Sequence, residues 1–569
     1  MTRRMDMRKK IIIVGGVAGG ASAAARLRRL DEECEIILLE KGPYVSFANC
    51  GLPYYIGGVI EDRDQLFVQT AERMMQRFAM DIRVRHEVLQ VLPEKKSVVI
   101  FDHQNQVQYE ETYDSLVLSP GSKPLQPAIK GLTESQNIFT VWTVPDVDQI
   151  KAYLDKYKSQ HAVVIGGGFI GLEMAENFHH LGLKVTIIEM AEQVMAPLDY
   201  EMAMLVHHHL LSKDVQLYLN NAVQFFEPIQ NKNKTKIHLQ SGSVLEGDII
   251  VLCIGVKPNT DFLKESGIDL NVRGGIKVNK HMETSVPDIY AVGDAVEVTD
   301  FITKMPAMIP LAGPANKQGR IVANQIMGRT EAYEGTQGTS IVKVFNQTVA
   351  TTGANEKTLK QYQIPYSISL TESNSHVNYY PGATPMIMKL LFSPKDGKIL
   401  GAQIVGEDGV DKRIDVIATA LRWGATVEDL EQLELAYAPP YGAAKDPVNM
   451  AGDVANNIYK GDVIPAFYHE IQDLDPVKTL ILDIREKDER NLGYIIGSLH
   501  IPLGQLRQKI NQLPRNKEII IYCRSGARSY LACLILMQNE FENVRNLLGG
   551  YEFYQVINKT KKELRGTIH

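Results

Sequence analysis

Residues 161–189 read HAVVIGGGFIGLEMAENFHHLGLKVTIIE, and this stretch decides the fold. It predicts a strand over 161–165, a helix over 172–181 and a second strand over 184–188. Between the first two lies Gly166-Gly167-Gly168-Phe169-Ile170-Gly171. Glycine is needed where a backbone turns tightly and approaches a pyrophosphate at a helix N-terminus. A carboxylate closing the second strand, here Glu189, then takes a ribose hydroxyl. A glycine fingerprint alone is weak. Strand, loop, helix, strand and terminal acid in register define a dinucleotide-binding βαβ unit, with Gly166, Gly168, Ile170, Gly171 and Glu189 as its contacts. Glu189 repels a 2′-phosphate and Met190 brings no compensating cation, so NADH is expected over NADPH.

Toward the N-terminus, residues 10–40 repeat the pattern. A strand over 10–14 enters Gly15-Gly16-Val17-Ala18-Gly19-Gly20, a helix rich in Ala, Arg and Leu follows, and a strand over 35–39 ends at Glu40. Gly15, Gly20 and Glu40 fit the fingerprint, while Val17 stands where the middle glycine belongs. Two nucleotide units imply two cofactors. Residues 117–122 (VLSPGS) and 253–259 (CIGVKPN) are strand-to-glycine exits that pass close to bound nucleotides through Ser119, Gly121 and Gly255. The stretch TSVPDIYAVGD over 284–294 delivers Gly293 and Asp294 at a strand end, where an aspartate can bind a ribityl hydroxyl. Just past the first unit, SFANCGLPYY over 46–55 places Cys50 in a turn rich in glycine and proline, where a thiol can exchange electrons with a flavin. Val17, Ala18 and Asn49 complete this set of cofactor contacts.

The last hundred residues form another α/β pattern. Strand and acid at LILDIRE over 480–486 are followed by GSLHIPL over 497–503, a strand over 518–522, then Cys523-Arg524-Ser525-Gly526-Ala527-Arg528-Ser529 and a helix. A cysteine between strand end and helix N-terminus meets the helix dipole and converging N–H groups, which favour an anionic sulfur. Cysteine phosphatases use C-x5-R, a loop sized for phosphate. Cys523 and Arg528 form C-x4-R, one residue shorter, which suits a single sulfur atom, with Arg524 and Arg528 adding positive charge.

These motifs support two resemblances. The chain resembles the flavoprotein disulfide reductases, and its 46–55 segment is similar to that of the coenzyme A disulfide reductases, S-F-x-N-C-[GA]-L-P-Y, over roughly residues 8–452. Two distal stretches, HVNYYPG over 376–382 and AYAPPYGAAKD over 436–446, strengthen it. The resemblance implies an FAD-binding domain over 1–118 and 247–334, an NAD-binding domain over 119–246 and an α+β dimerisation domain over 335–452. It implies a homodimer in which Tyr379 and Tyr437 reach the partner's cysteine, with Arg26, Arg29, Ser46 and Lys445 holding coenzyme A. Tyr55 stands where dithiol flavin reductases keep a second cysteine, so Cys50 must cycle through a mixed disulfide, a persulfide or a sulfenic acid. After a linker over 453–466, residues 467–569 resemble a rhodanese domain, with the usual G-H-I-x-G altered to Gly493-Tyr494-Ile495-Ile496-Gly497.

Composition sets the outer bounds. A chain of 569 residues has room for three or four domains, and a net charge of −6 gives no support for nucleic-acid binding. Five cysteines, sparse and odd in number, argue for a reducing cytoplasm rather than a disulfide framework. No apolar run approaches the roughly 18 residues of a membrane span. The start, MTRRMDMRKK before IIIVGG, reads as the approach to a strand rather than a signal peptide. Cys34 is expected at a surface turn, Cys253 in a core strand and Cys533 on a helix, none of them catalytic. His207-His208-His209 is not expected to hold a metal, since adjacent helical residues diverge.

The expected protein is an α/β enzyme with two Rossmann-like domains, a dimerisation domain and a rhodanese domain. It uses NADH and FAD to reduce coenzyme A persulfide, polysulfide or coenzyme A disulfide. Two alternatives stay open. One is an NADH oxidase or peroxidase, although the peroxidase branch carries a histidine where this chain has Ala18. The other is a redox sensor with a binding-only rhodanese module.

Overall fold

The computed structural model describes residues 8–230 and 232–566. The N-terminal approach segment, residues 1–7, lies outside the described residues. Two compact units emerge, one comprising the chain up to Ile188 with Ala222–Gly338, the other Glu189–Asn221 with everything from Thr339.

The first unit holds both nucleotide folds. Ile289–Ala291, Ser115–Leu118, Lys10–Val14, Glu35–Glu40 and Asp81–Val84 run in that order as a parallel sheet. Ile11, Ile12 and Ile13 are fully buried, as expected of a parallel strand covered on both faces. A second parallel set runs Lys184–Ile188, His161–Ile165, Ile249–Leu252, Ile138–Thr140. Here the domain boundaries need correction. Ile249–Leu252 pairs with His161–Ile165, so the chain returns to the first fold after this strand and not at residue 247.

The second unit contains an antiparallel five-stranded sheet in the order Ser340–Val344, Gln347–Gly353, Ile399–Gly406, Pro385–Phe392, Ser367–Asn374. It also contains a parallel sheet in the order Ile464–Ala466, Val544–Leu547, Glu518–Tyr522, Thr479–Asp483, Leu499–His500. The predicted linker over 453–466 carries regular structure. Helix Pro447–Tyr459, capped by Asp446, runs through its first half with Ala455 and Asn456 buried. Its last three residues are a strand of the C-terminal sheet.

Two cysteine expectations also change. Cys34 is buried, its sulfur 3.7 Å from the Arg28 guanidinium, because the turn carrying it folds under helix Ala18–Leu30. Cys253 lies just past the end of Ile249–Leu252 and is partly exposed. Among the described residues no helix is long and apolar enough to cross a membrane.

Candidate active sites

The two fingerprints share one geometry. Gly15 and Gly166 have φ of +97° and +106°, and a Cβ on either would fall 2.0 Å from the Ser119 carbonyl oxygen or 2.3 Å from that of Cys253. A Cβ on Gly20 or Gly171 would strike the carbonyl of Gly15 or Gly166. These glycines are fixed by the close crossing of strand exit and helix start. The middle position differs: Val17 sits at φ −104°, extended backbone open to any residue, which accounts for its departure from the motif. Gly168 meets nothing within 4 Å. Neither helix Ala18–Leu30 nor helix Phe169–His180 has a side-chain cap at its N-terminus, which fits a pyrophosphate at each.

Around the first fingerprint the predicted residues converge. Glu40 accepts from Gly16 N at 2.8 Å and Gly42 N at 2.7 Å; burial pushes its carboxyl up while those bonds oppose the shift. A Cβ on Gly19 or on Gly293 would lie 3.1 or 3.6 Å from Ser119 Oγ, so this hydroxyl borders both glycines. Asp294 accepts from Ser122 Oγ at 3.1 Å, and burial pushes its carboxyl up. A partly buried carboxylate next to Gly293 fits a flavin's ribityl hydroxyl. Gly121 takes φ +62° and its carbonyl accepts from Asn259 N, while Gly255 takes φ +106° near Leu125. Glu189 follows directly on its strand and accepts from Ala191 N at 2.8 Å.

Cys50 is exposed, in the short turn Asn49–Gly51. Ser46 N donates to Gly16 O at 2.8 Å, which ties the turn to the first fingerprint, and Ser46 itself sits at φ +48°. Asn49 lies against the Trp142 carbonyl. Burial, then Glu173 and Asp294, push the Cys50 thiol up. Sequence reading misses Glu173. On helix Phe169–His180, it is hydrogen-bonded to Tyr54, and burial with Glu176 pushes it up to about 7. Its only sequence signal is an acid in the helix that follows the second fingerprint. Arg26 bonds Asn324 at 3.0 Å, and burial together with Arg320 and Arg329 pulls its guanidinium down; Arg29 lies over the Phe78 ring.

In the second unit, the hydroxyls of Tyr379 and Tyr437 meet at 2.8 Å. Both are exposed. Buried Arg413 on helix Val410–Arg422 ties the segments that carry them. It donates to Ser375 O at 2.9 Å and to Asp446 Oδ1 and Oδ2 at 3.2 and 2.9 Å. Val377 N donates to Gly442 O between the same segments. Lys445 pairs with Asp453 at 3.1 Å on the surface. Asp199, Glu201 and Glu356 converge in the manner of metal ligands, but on the ammonium of fully buried Lys389. His207 is buried and accepts from Val194 N, and desolvation pulls it down to about 3.

Cys523 is only 1% exposed at the end of strand Glu518–Tyr522. Its sulfur accepts from Gly526 N at 3.1 Å and Ser529 Oγ at 3.5 Å. Gly526, at φ +112°, opens helix Ala527–Met537. Arg528 pairs with Glu489 through two contacts of 2.7 and 2.5 Å. Of the two cations expected at the loop, Arg528 also reaches the Cys523 sulfur, whereas Arg524 turns to Glu372 and Glu552 at 3.1 and 3.3 Å.

Two nucleotide folds, a cysteine turn on the first fingerprint and an antiparallel sheet define the fold of a flavin-dependent disulfide oxidoreductase with an added α/β module. The chain belongs to the pyridine nucleotide-disulphide oxidoreductase family, whose model matches residues 9–319, with its dimerisation domain over 339–446 and a rhodanese-like domain over 466–556. It is 38% identical to the coenzyme A disulfide reductase of Staphylococcus epidermidis, over 78% of this chain and 99% of that protein. The structure of reduced Bacillus anthracis CoADR-RHD matches with a TM-score of 0.95 and 52% identity, covering 97% of this chain and 98% of that one. An NAD-dependent persulfide reductase from A. fulgidus matches at 0.89 and 35%, covering 96% and 99%. The chain is thus a flavin-dependent pyridine nucleotide-disulfide oxidoreductase carrying a rhodanese domain, using FAD and NAD(H).

Proposed function

We propose that the chain is an NADH-dependent reductase of coenzyme A persulfide, polysulfide or coenzyme A disulfide, with Cys50 as its single redox thiol and Cys523 as a carrier of sulfane sulfur. The carrying observation is the Cys50 turn: an exposed cysteine in a segment tied to Gly16 through Ser46 N, with Tyr55 buried where a second cysteine would stand. The Cys50 thiolate attacks a coenzyme A persulfide, forming the Cys50–coenzyme A disulfide and releasing hydrosulfide. FAD on the first fingerprint and NADH on the second would supply the electron pair that cleaves this disulfide. Glu189 favours the 2′-hydroxyl of NADH. Arg26, Arg29, Ser46 and Lys445 would hold coenzyme A. Tyr379 and Tyr437 would donate to the departing thiolate from the partner of a homodimer, since a stabilised thiolate leaves faster.

The test is anaerobic NADH consumption by FAD-loaded protein with coenzyme A disulfide, coenzyme A persulfide and polysulfide, alongside sulfide release. Fast turnover with sulfide is expected. Turnover only when air is admitted would overturn the reading in favour of an oxidase.

A further inference from the structure

The charges around Cys523 carry an inference about what that loop accepts, resting on the reading of Cys523 as a sulfur carrier. Four guanidiniums surround the loop, and each is matched. Arg485 and Arg490 share fully buried Asp483, at 2.9 Å each. Arg528 is held by Glu489 while also bonding the Cys523 sulfur, and Arg524, the residue next to the cysteine, is held by Glu372 and Glu552. Glu372 does not belong to the rhodanese fold. It lies on Ser367–Asn374 of the antiparallel sheet, with its side chain mostly buried.

The segment after Glu489, the partner of Arg528, presents apolar side chains to solvent. Leu492 and Ile496 are 84% and 90% exposed on the segment that follows Glu489, and the Tyr494 ring lies against Arg490. Ile495 N, from the same segment, donates to the hydroxyl of Tyr522, the neighbour of Cys523. Leu531 stands one helical turn beyond Arg528, 44% exposed.

We propose that Glu372, with Glu552, is a specificity determinant of the Cys523 loop. By occupying Arg524 it withholds a second cation, beside Arg528, from a compact dianionic donor such as thiosulfate. The loop is left to donors whose sulfane sulfur ends an uncharged aliphatic arm, which packs on Leu492 and Ile496. The transfer needs no outside oxidant. The Cys523 thiolate attacks the terminal sulfur of R–S–SH, the new Cys523 S–S bond forms, the donor S–S bond breaks, and R–S⁻ leaves and is protonated by water.

The experiment uses full-length, FAD-loaded protein carrying Cys50→Ser, so that the reductase thiol cannot load. Sulfur addition is followed by intact-mass spectrometry and peptide mapping, with pantetheine persulfide or thiosulfate as donor. Wild-type loop chemistry should favour pantetheine persulfide. Glu372→Gln, and separately the exposed Glu552→Gln, should each shift the ratio of the two rates toward thiosulfate, roughly fivefold for one released charge several ångströms from a dianion. Thiosulfate loading as fast as pantetheine persulfide, or a ratio unmoved in both variants and in their combination, overturns the proposal. Adding Cys523→Ser separates the two levels: loading that persists there sinks the carrier reading itself, whatever the ratio.

Discussion

The Cys50 turn and the Cys523 loop place a reactive sulfur at two opposite extremes. Cys523 is almost wholly buried, and its stabilising donors, Gly526 N and Ser529 Oγ, come from the next six residues of chain. Cys50 is exposed, and the groups that face it, Glu173 and Asp294, come from distant segments and are acidic. A loop that builds its own anion site is suited to holding one sulfur atom. A turn that opposes its own thiolate must borrow stabilisation from bound partners, which ties its reactivity to the presence of cofactor and substrate.

The sharpest way to break this comparison is to remove each sulfur in turn. Cys50→Ser should lower NADH-dependent reductase turnover by at least about 10³-fold, as for loss of any covalent nucleophile, while Cys523 still loads sulfur. Cys523→Ser should do the reverse. If either variant lost both activities, the two sites would be one device.

Next in size is the support beneath the tyrosines. Arg413 holds Ser375 and Asp446 from a fully buried position, so Arg413→Met leaves the Asp446 carboxylate with only Lys412, at 3.7 Å, as a charged partner, at a cost of up to about 3–5 kcal/mol, read by chemical denaturation. Arg413→Met combined with Asp446→Leu should recover part of that loss. The tyrosines themselves should each cost about tenfold in turnover as phenylalanine, the scale of one lost hydrogen bond to a charged leaving group. Because their hydroxyls bond each other, the double variant should fall short of the product of the two, as a kinetic double-mutant cycle would show.

How much of this was legible in sequence follows the same contrast. The Cys523 loop was readable because its donors are contiguous, and C-x4-R spacing described its size. The two fingerprints were readable because Gly15 and Gly166 meet neighbouring backbone that any such crossing creates. Tyr379 and Tyr437 were reached only through resemblance; nothing local says that two loops 58 residues apart meet. Glu173 and Glu372 were not legible, since each acts on a residue far along the chain. The stretch over 453–466, read as a connector, did not disclose its regular structure. Its helix is secured by the Asp446 cap and by packing of Ala455 and Asn456, which are tertiary facts.

The smallest expected effect tests the acidic face of Cys50 directly. Glu173 is pushed up to about 7 by burial, then Glu176, against the opposing hydrogen bond from Tyr54. Above that pH it carries a negative charge, which disfavours the Cys50 thiolate and helps hold the thiol up. Glu173→Gln removes the charge but keeps the shape, so the sign is fixed: the pH midpoint for alkylation of reduced Cys50 by iodoacetamide must move down, by about half a unit for one partly screened charge. The same substitution also has a stability signature. A carboxyl held above its unfolded value binds its proton on folding, so it makes stability fall as pH rises from about 4.5 to about 7. Glu173→Gln should flatten that slope in denaturation curves. Alkylation moving upward, or not at all, would mean that the turn is not opposed by its neighbours, and the contrast with Cys523 would reduce to one of exposure alone.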